Sequence, residues 1–506
     1  MAISQPIKKV LLITPPYHSG VVESAGVWLN VGFVYLAGSL RAAGYEPEIY
    51  DAMSHQHGYA EIESRIRSSQ PQVVATTAFT AEIVEALKVL QLAKQIDPQV
   101  VTIVGNVHPT FCYHELLPEH HSNLDFIVRG EGEETLVELL DCLNANGKLD
   151  QVRAIAFWRD GQVVATPPRP LIQNLDRLPM AWDLIDWPIY TYKAMDHSRL
   201  AIVSSSRGCC QACTFCSQQL FWERSWRGRS PENFVQELEF LRDQFGVNVV
   251  MISDETPTYS RERWERILKL LIARKTGVKI LMETRVDDII RDADLMPQYR
   301  EAGIDHIYVG VESTSQAALD VFKKNIKVED SRRALALINQ QDIVSETSFV
   351  LGMPDETTAS IRNTLELAKF YNPDMAFFLA IAPWPYSNIY PELKDYIETK
   401  DYSQYNLVEP VVKPKNMTRE ELTTELGKAS RDFYVHKIQT LDQMSAKKRQ
   451  FLIKVIQIIA NNSYLAKAMK GVMPPEMKKL LAKMHAGAGE QSSNHLEAKL
   501  SGNHSY

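Results

Sequence analysis

Cys209, Cys213 and Cys216 form a C-x3-C-x2-C array within Ser206-Arg207-Gly208-Cys209-Cys210-Gln211-Ala212-Cys213-Thr214-Phe215-Cys216. Three thiolates in one loop can hold three irons of a 4Fe-4S cluster and leave the fourth iron open to a small chelating molecule. Zinc usually takes four ligands in paired short spacings, and the chain has no second C-x2-C or H-x3-H pair. A disulfide framework fits no better, because six cysteines in 506 residues is sparse and four of them crowd into eight positions. Cys210 stands beside the first ligand and reads as a bystander, with substitution as a ligand the alternative.

Around that loop the composition is that of a chain of two or three domains, since 506 residues exceed what one core normally organises and 45% hydrophobic content is ordinary. A formal charge of -7 and a pI near 6.1 leave no basic footprint, which argues against nucleic acid as the main partner. The apolar run Val10 to Ile13 is too short for a signal segment and stops at Pro15-Pro16, while Phe451 to Ala460 is broken by Lys454 and Gln457, so no transmembrane segment is expected. Free thiols and an oxygen-sensitive cluster suit a reducing cytoplasm.

Residues 1–150 alternate strand and helix patterns, with apolar runs at Val10 to Ile13, Val73 to Ala75, Val100 to Val104 and Phe126 to Val128, and helices over Gly32 to Ala43 and Ala81 to Gln95. A doubly wound, Rossmann-like α/β domain follows, with its ligand at the strands' carboxyl ends. The loops there contain Pro16, Tyr17 and His18, then Thr77, then Gly105, Asn106, His108 and Pro109, then Gly130 and Glu131. No G-x-G-x-x-G follows the first strand, which argues against a dinucleotide. Residues 151–195 read as a connector, because Pro167, Pro168, Pro170, Pro179 and Pro188 with Trp182 and Trp187 favour extended backbone wrapped over a surface.

From 196 to 395 the alternation resumes as a six-unit partial β/α barrel, with strands at Leu200 to Ser204, Val247 to Ile252, Lys279 to Glu283, His306 to Val311, Glu346 to Leu351 and Ala376 to Ala382. Functional groups belong at the carboxyl ends of such strands. The cysteine loop follows the first, Asp254 and Glu255 the second, Glu283-Thr284-Arg285 the third, Gly310, Glu312 and Ser313 the fourth, and Gly352 the fifth. Carboxylates there suit an ammonium or ribose hydroxyls, and a guanidinium suits a carboxylate. After the sixth strand, Pro383 and Pro385 aim Trp384 and Tyr386 into a loop, to face a large flat substrate or to pack on the C-terminal region. Residues 396–484 turn helical, with a capping box at Thr418 and Glu421 and a second helix over Lys447 to Ala460, and 485–506 have the composition of a disordered tail.

The cysteine spacing and the polar groups after successive strands resemble the radical S-adenosylmethionine (SAM) enzymes. The first-domain loops resemble the cobalamin-binding domain that precedes many of their barrels, and Leu171 to Trp187 matches the bridge between such modules. That resemblance implies a 4Fe-4S cluster on Cys209, Cys213 and Cys216, and SAM bound by Phe215 at the adenine, by Asp254 and Glu255 near the amino group, and by Arg285, Gly310, Glu312, Ser313 and Gly352. Cobalamin is implied at Pro16, Tyr17, His18, Thr77, Gly105, Asn106, His108, Pro109, Gly130 and Glu131. Gly105 matches the family's fourth-strand glycine, whereas its frequent second glycine is Asn106 here. The D-x-H-x-x-G signature is missing, so the corrin is expected to lack a protein imidazole ligand; His18 and His108 taken alone read as ordinary loop histidines. The motifs Ala382 to Tyr386 and Asn406 to Pro414 resemble the subgroup that builds the fifth ring of chlorophylls from magnesium-protoporphyrin IX monomethyl ester without dioxygen. The implied chemistry starts with a deoxyadenosyl radical that takes hydrogen from the porphyrin propionate, with cobalamin accepting an electron, water trapping the cation, and an external low-potential donor feeding the cluster. The alternatives are methylation of an unactivated carbon with the same cofactors, and a cobalamin sensor with a silent barrel.

Overall fold

The computed structural model describes residues 6–18 and 25–461; the end of the helical region expected over 396–484 and the tail from 485 lie outside them. The first sheet has β1 (Lys9–Ile13), β2 (Glu46–Tyr50), β3 (Val73–Thr77), β4 (Val101–Gly105) and β5 (Phe126–Val128) parallel in the order β2-β1-β3-β4-β5. Apolar runs make the inner strands because both faces are covered by helices. They include α1 (Val31–Ala42), α2 (Tyr59–Ser69), α3 (Ile83–Ile96), α4 (Val107–His120) and α5 (Glu133–Asn144). β2 escapes pattern reading because it is an edge strand, Glu-Pro-Glu-Ile-Tyr, whose proline is tolerated there.

The segment from 151 does not begin as irregular backbone. β6 (Ile155–Arg159) and β7 (Gln162–Ala165) form an antiparallel hairpin on β5, so the first sheet runs to Ala165. Its turn is Asp160-Gly161, both at positive φ (52° and 78°), as a tight hairpin requires. Beyond it the chain crosses α1 so closely that a Cβ on Gly38 would lie 2.2 Å from the Pro179 carbonyl oxygen. Trp182 then donates to Glu237 at 3.0 Å, and Trp187 stacks on Phe245 at 5.0 Å. Both partners lie on α6 (Pro231–Phe245), the first long helix of the second module.

That module is a parallel sheet in the order β8 (Leu200–Val203), β11 (Val249–Ile252), β12 (Lys279–Arg285), β13 (Ile304–Glu312), β14 (Val344–Leu351) and β15 (Met375–Ala380). A two-stranded ribbon, β9 (Ser206–Arg207) with β10 (Arg227–Gly228), brackets the cysteine loop. Three further helices, α7 (Arg261–Arg274), α8 (Val328–Gln340) and α9 (Thr358–Tyr371), pack outside the sheet. α10 (Arg419–Gln439) starts at the expected capping box, with both bonds between Thr418 and Glu421 formed, and buries Leu422, Leu426 and Phe433 against β15 and α9. It is followed by α11 (Ala446–Asn461). No helix among the described residues is long and apolar enough to cross a membrane.

The carboxyl ends of the two sheets are joined by a buried ion cluster. Arg207 Nη1 donates to Glu131 at 2.7 Å and Nη2 to Glu133 at 2.5 Å, while Arg227 Nη1 donates to Glu131 at 2.9 Å. All four side chains are 4–11% exposed. Glu131 also accepts from the Ile172 backbone at 2.6 Å, the Arg207 guanidinium lies over the Tyr35 ring, and Arg227 lies over Trp222. Burial works against the charge on Arg207, but Glu133 and Glu131 raise its pKa above the ordinary arginine value. Glu131→Ala, which takes from buried Arg227 its carboxylate partner and from Arg207 one of two, should lower stability by about 3–5 kcal/mol; a denaturant titration that places it within 1 kcal/mol of wild type would contradict this coupling.

Candidate active site

The cysteine loop leaves β8 through Ser204-Ser205-Ser206. Asp254, after β11, holds this start: it accepts from the Ser205 backbone at 2.7 Å and from the Ser205 and Ser206 hydroxyls at 2.6 Å each. Gly208 sits at φ 95°, where an added Cβ would be 2.1 Å from the Ser225 carbonyl oxygen, so no other residue fits the turn into Cys209. Its N–H donates to Glu255 at 3.1 Å, and the other oxygen of Glu255 accepts from Trp222 at 2.6 Å. At the far side, Thr214 N–H donates to Phe322 O at 3.0 Å, Ile389 N–H to Thr214 O at 2.9 Å, and Gln219 to Cys213 O at 2.8 Å.

The three thiols of this loop act on one another. Burial pushes Cys216 up to about 12, with the charges of Cys213 and Cys209 adding; burial also raises Cys209, with Cys213 adding and Arg285 opposing. Such a set carries thiolates comfortably only around positive charge. Among the described residues no three His, Cys, Asp or Glu side chains are grouped to hold a single ion, and a cluster, in which each thiolate binds its own iron, asks for less convergence. The residues therefore fit a cluster. Cys210 turns instead to the Tyr259 hydroxyl.

At the strand ends beside the loop, most polar groups are already paired. Glu312 has φ 64° at a register irregularity in β13 and accepts from Lys324 Nζ at 2.7 Å. A Cβ on Gly310 would lie 2.6 Å from Glu312 and 2.7 Å from Lys324 Nζ, so the glycine makes room for this pair. Arg285 donates to Asp287 at 2.9 Å and to the Lys324 carbonyl at 2.9 Å. Ser313 accepts from Ser315 N–H at 3.1 Å, and Gly352, at φ 91°, donates to Glu356 at 3.0 Å. Phe215 packs edge-on against Phe322, 5.0 Å between centroids. Glu283 alone among these carboxylates has no hydrogen-bond partner among the described residues. Burial and the charges of Glu255, Asp254 and Glu312 push it up to about 8, with Lys324 opposing.

On the opposite wall, Thr77, Gly105, Asn106 and Gly130 line a cavity of about 470 Å³ whose other side is Arg207, Trp222, Ser253 and Glu255. Asn106 stands where a second glycine is common and adopts φ 84°, ψ -166°, a conformation essentially reserved for glycine. Its amide holds it there, donating to Thr77 Oγ1 at 2.9 Å and accepting from Val107 N–H at 2.8 Å. Glycine's role is thus taken over by a side chain that closes a local ring.

Several expected ligands are committed elsewhere. Asp254 spends both oxygens on the serines, and Glu131 spends both on Arg207, Arg227 and Ile172, so neither is free for a cofactor. Tyr17 donates to Ser403 O at 2.9 Å, and His18 is exposed. His108 is buried with Pro109 at the start of α4: Nδ1 lies 3.2 Å from Thr80 Oγ1, and its ring meets Tyr402 at 4.8 Å. Burial lowers His108 to about 4, which keeps it neutral. Trp384 is half-buried in an apolar cluster with Phe215 and Phe322. Tyr386 reaches the first module, with its hydroxyl 2.7 Å from Thr80 Oγ1 and its ring stacked on Phe111 at 5.0 Å. Lys324, Arg227 and Trp222 carry no signal in the sequence, where a lone lysine after Lys323 looks solvated; Arg207, inside the cysteine motif, and Glu283, at the end of the third barrel strand, are marked by position but given no role.

Residues 17–140 match the B12 binding domain and residues 203–368 match the radical SAM superfamily. Two sheets facing across one cavity, with a three-cysteine loop at the second, are the layout of a radical SAM enzyme with a cobalamin module, and the chain belongs to this family. Its cofactors are cobalamin, a 4Fe-4S cluster and SAM. It is 36% identical to the anaerobic magnesium-protoporphyrin IX monomethyl ester cyclase of Rubrivivax gelatinosus over 93% of this chain and 86% of that protein. It is 37% identical to the cyclase of the same name from Cereibacter sphaeroides over 85% of this chain and 71% of that protein. An uncharacterized methyltransferase of Pyrococcus horikoshii is 30% identical over 85% of this chain and 93% of its own length. In fold the chain resembles the cobalamin-dependent SAM radical enzyme OxsB, with a TM-score of 0.69 at 17% identity over 97% of this chain and 82% of that one.

The glycine-like geometry of Asn106 is testable. Asn106→Ala, which keeps the strain and loses the amide, should cost about 2 kcal/mol, and Asn106→Gly less than half of that, by the shift in unfolding midpoint.

Proposed function

We propose that this chain is the oxygen-independent oxidative cyclase that forms the fifth ring of chlorophyll precursors from magnesium-protoporphyrin IX monomethyl ester. The observation that carries the reading is its 36–37% identity to two such cyclases over 85–93% of its length, C-terminal region included. The alternative, methylation of an unactivated carbon, draws on the methyltransferase relative at 30%.

In this reading Cys209, Cys213 and Cys216 hold three irons. The unpaired carboxylate of Glu283 is the natural partner for the ammonium of SAM, a place that Asp254 and Glu255 cannot take while bound to serines, Trp222 and Gly208. Lys324 and Arg285 offer charge to its carboxylate, and Phe215 offers an apolar face to the adenine. Thr77, Gly105, Asn106 and Gly130 leave room for the corrin's nucleotide tail, and His108, turned toward Thr80, gives the corrin no imidazole. The bound cofactors supply hydrogen abstraction from an unactivated carbon and one-electron chemistry next to it. Around them the chain's own residues hold the reacting parts close, because Arg207 binds the cysteine loop directly to the cobalamin-side loop. A low-potential donor and a cytoplasmic setting complete the proposal.

Anaerobic incubation of cluster-loaded protein with SAM, cobalamin, a reductant and the porphyrin monomethyl ester should give 5′-deoxyadenosine and an oxidised pentacyclic product; a product one methyl group heavier rejects the cyclase. Cys213→Ala should abolish deoxyadenosine formation. Lys324→Met, by removing one charge-assisted contact of about 1.5–3 kcal/mol, should weaken SAM binding roughly ten- to hundredfold while iron content stays at the wild-type level.

A further inference from the structure

The six-stranded sheet does not close. β8 and β15 are its edges, and outside β15 an apolar cavity of about 140 Å³ lies beneath α10 and α11. Its walls include Phe377 and Leu379, alternate residues of β15, with Leu426, Val455 and Val408. Three features set it apart from a packing gap. First, Leu407 at its rim has φ 68°, a strained conformation for a leucine, and its carbonyl is held by the Ala380 N–H at 2.8 Å. Leu407 and Val408 belong to the Asn406 to Pro414 motif, which the cofactor sites leave unused. Second, His306 and Glu346 enter the same cavity: His306 Nε2 lies 2.7 Å from Glu346 Oε2 but out of line for a hydrogen bond, and Nδ1 lies 3.0 Å from the Tyr192 hydroxyl. Third, Arg431 lines the rim with only its Nε engaged, to Asp432 at 2.6 Å, so its terminal amines are unpaired among the described residues.

We propose that this cavity seats the apolar edge of the tetrapyrrole, with Arg431 binding the macrocycle's free propionate carboxylate. The inference rests on the cyclase reading and deepens it. An apolar slot, a half-buried polar pair within it and a half-free guanidinium on its lining match a flat hydrocarbon macrocycle bearing one carboxylate. The placement also matches: the cavity runs along β15 from Met375 to Leu379, and the strand ends one residue further on, at Ala380. From there the chain reaches Ile389, which is hydrogen-bonded to the cysteine loop at Thr214. A macrocycle standing along this strand has one edge in the cavity and the opposite edge toward the cluster. The cavity holds only an edge, so the rest of the ring lies between β15 and the barrel interior.

The test is equilibrium binding, without turnover, of magnesium-protoporphyrin IX monomethyl ester and of its dimethyl ester to the cofactor-loaded full chain, followed by fluorescence. Wild type should prefer the monoester at least tenfold, and Arg431→Leu should erase that preference. Gly427→Trp, on the α10 wall, should weaken both ligands tenfold or more; Thr423→Trp, at the exposed rim, should do the same should the glycine variant fail to fold, with the thermal midpoint as the check. Wild type that binds the porphyrin while Arg431→Leu and Thr423→Trp bind it equally well overturns the cavity and leaves the cyclase reading standing. Wild type that cleaves SAM but binds neither ester overturns both.

Discussion

Two positive charges and two negative ones, taken out of water together where the sheets meet, govern the rest of the molecule. Arg207 and Arg227 would be costly to bury alone, and so would Glu131 and Glu133; as a group with the Tyr35 and Trp222 rings and the Ile172 backbone they satisfy each other. The geometry this enforces is functional, because Arg207 lies two residues before Cys209 and Glu131 directly follows Gly130. In the proposed reading, the loops that would hold the cluster and the corrin are thus tied by neighbouring residues of a single ionic group. The sum of four formal charges is zero, which lets the arrangement persist in a dry interface.

At the barrel mouth the useful information is which polar groups are left over. Asp254, Glu255, Glu312 and Ser313 all sit at strand ends, where such folds place their chemistry, yet each has a protein partner that fixes the loop or its neighbour. They form the frame. Glu283 has none among the described residues, and burial, with the carboxylates around it, makes its charge expensive. In the proposed reading this is how the site would recognise a zwitterion, by presenting one unmet need inside a set of met ones.

Much of this was legible in the sequence, for identifiable reasons. Cys209, Cys213 and Cys216 declare themselves by spacing within one loop, and the barrel strands show because each carries a cluster of apolar residues between helical patterns, even where polar residues interrupt it as in Lys279–Arg285. The edge strand β2 obeys neither constraint, and the β6–β7 hairpin was masked by the proline-rich stretch after it although Asp160-Gly161 is a turn signal. Residue types also told less than their partners. Asp254 and Glu131 stand at strand ends where the sequence expects ligands, but saturation of an oxygen by serines or arginines is a property of three-dimensional neighbours. For Asn106 the departure from glycine was visible, and the remedy, an amide bonded to Thr77, was not.

The contact at Gly38 carries a further implication. Because the connecting segment lies flush against α1, and Tyr35 of the same helix lies under the Arg207 guanidinium, this one helix touches both the connector and the ion cluster. Any side chain at Gly38 would have to push the Pro179 backbone outward, and with it the start of the path into the second sheet. The smallest residue on the helix thereby sets how closely the two modules can approach.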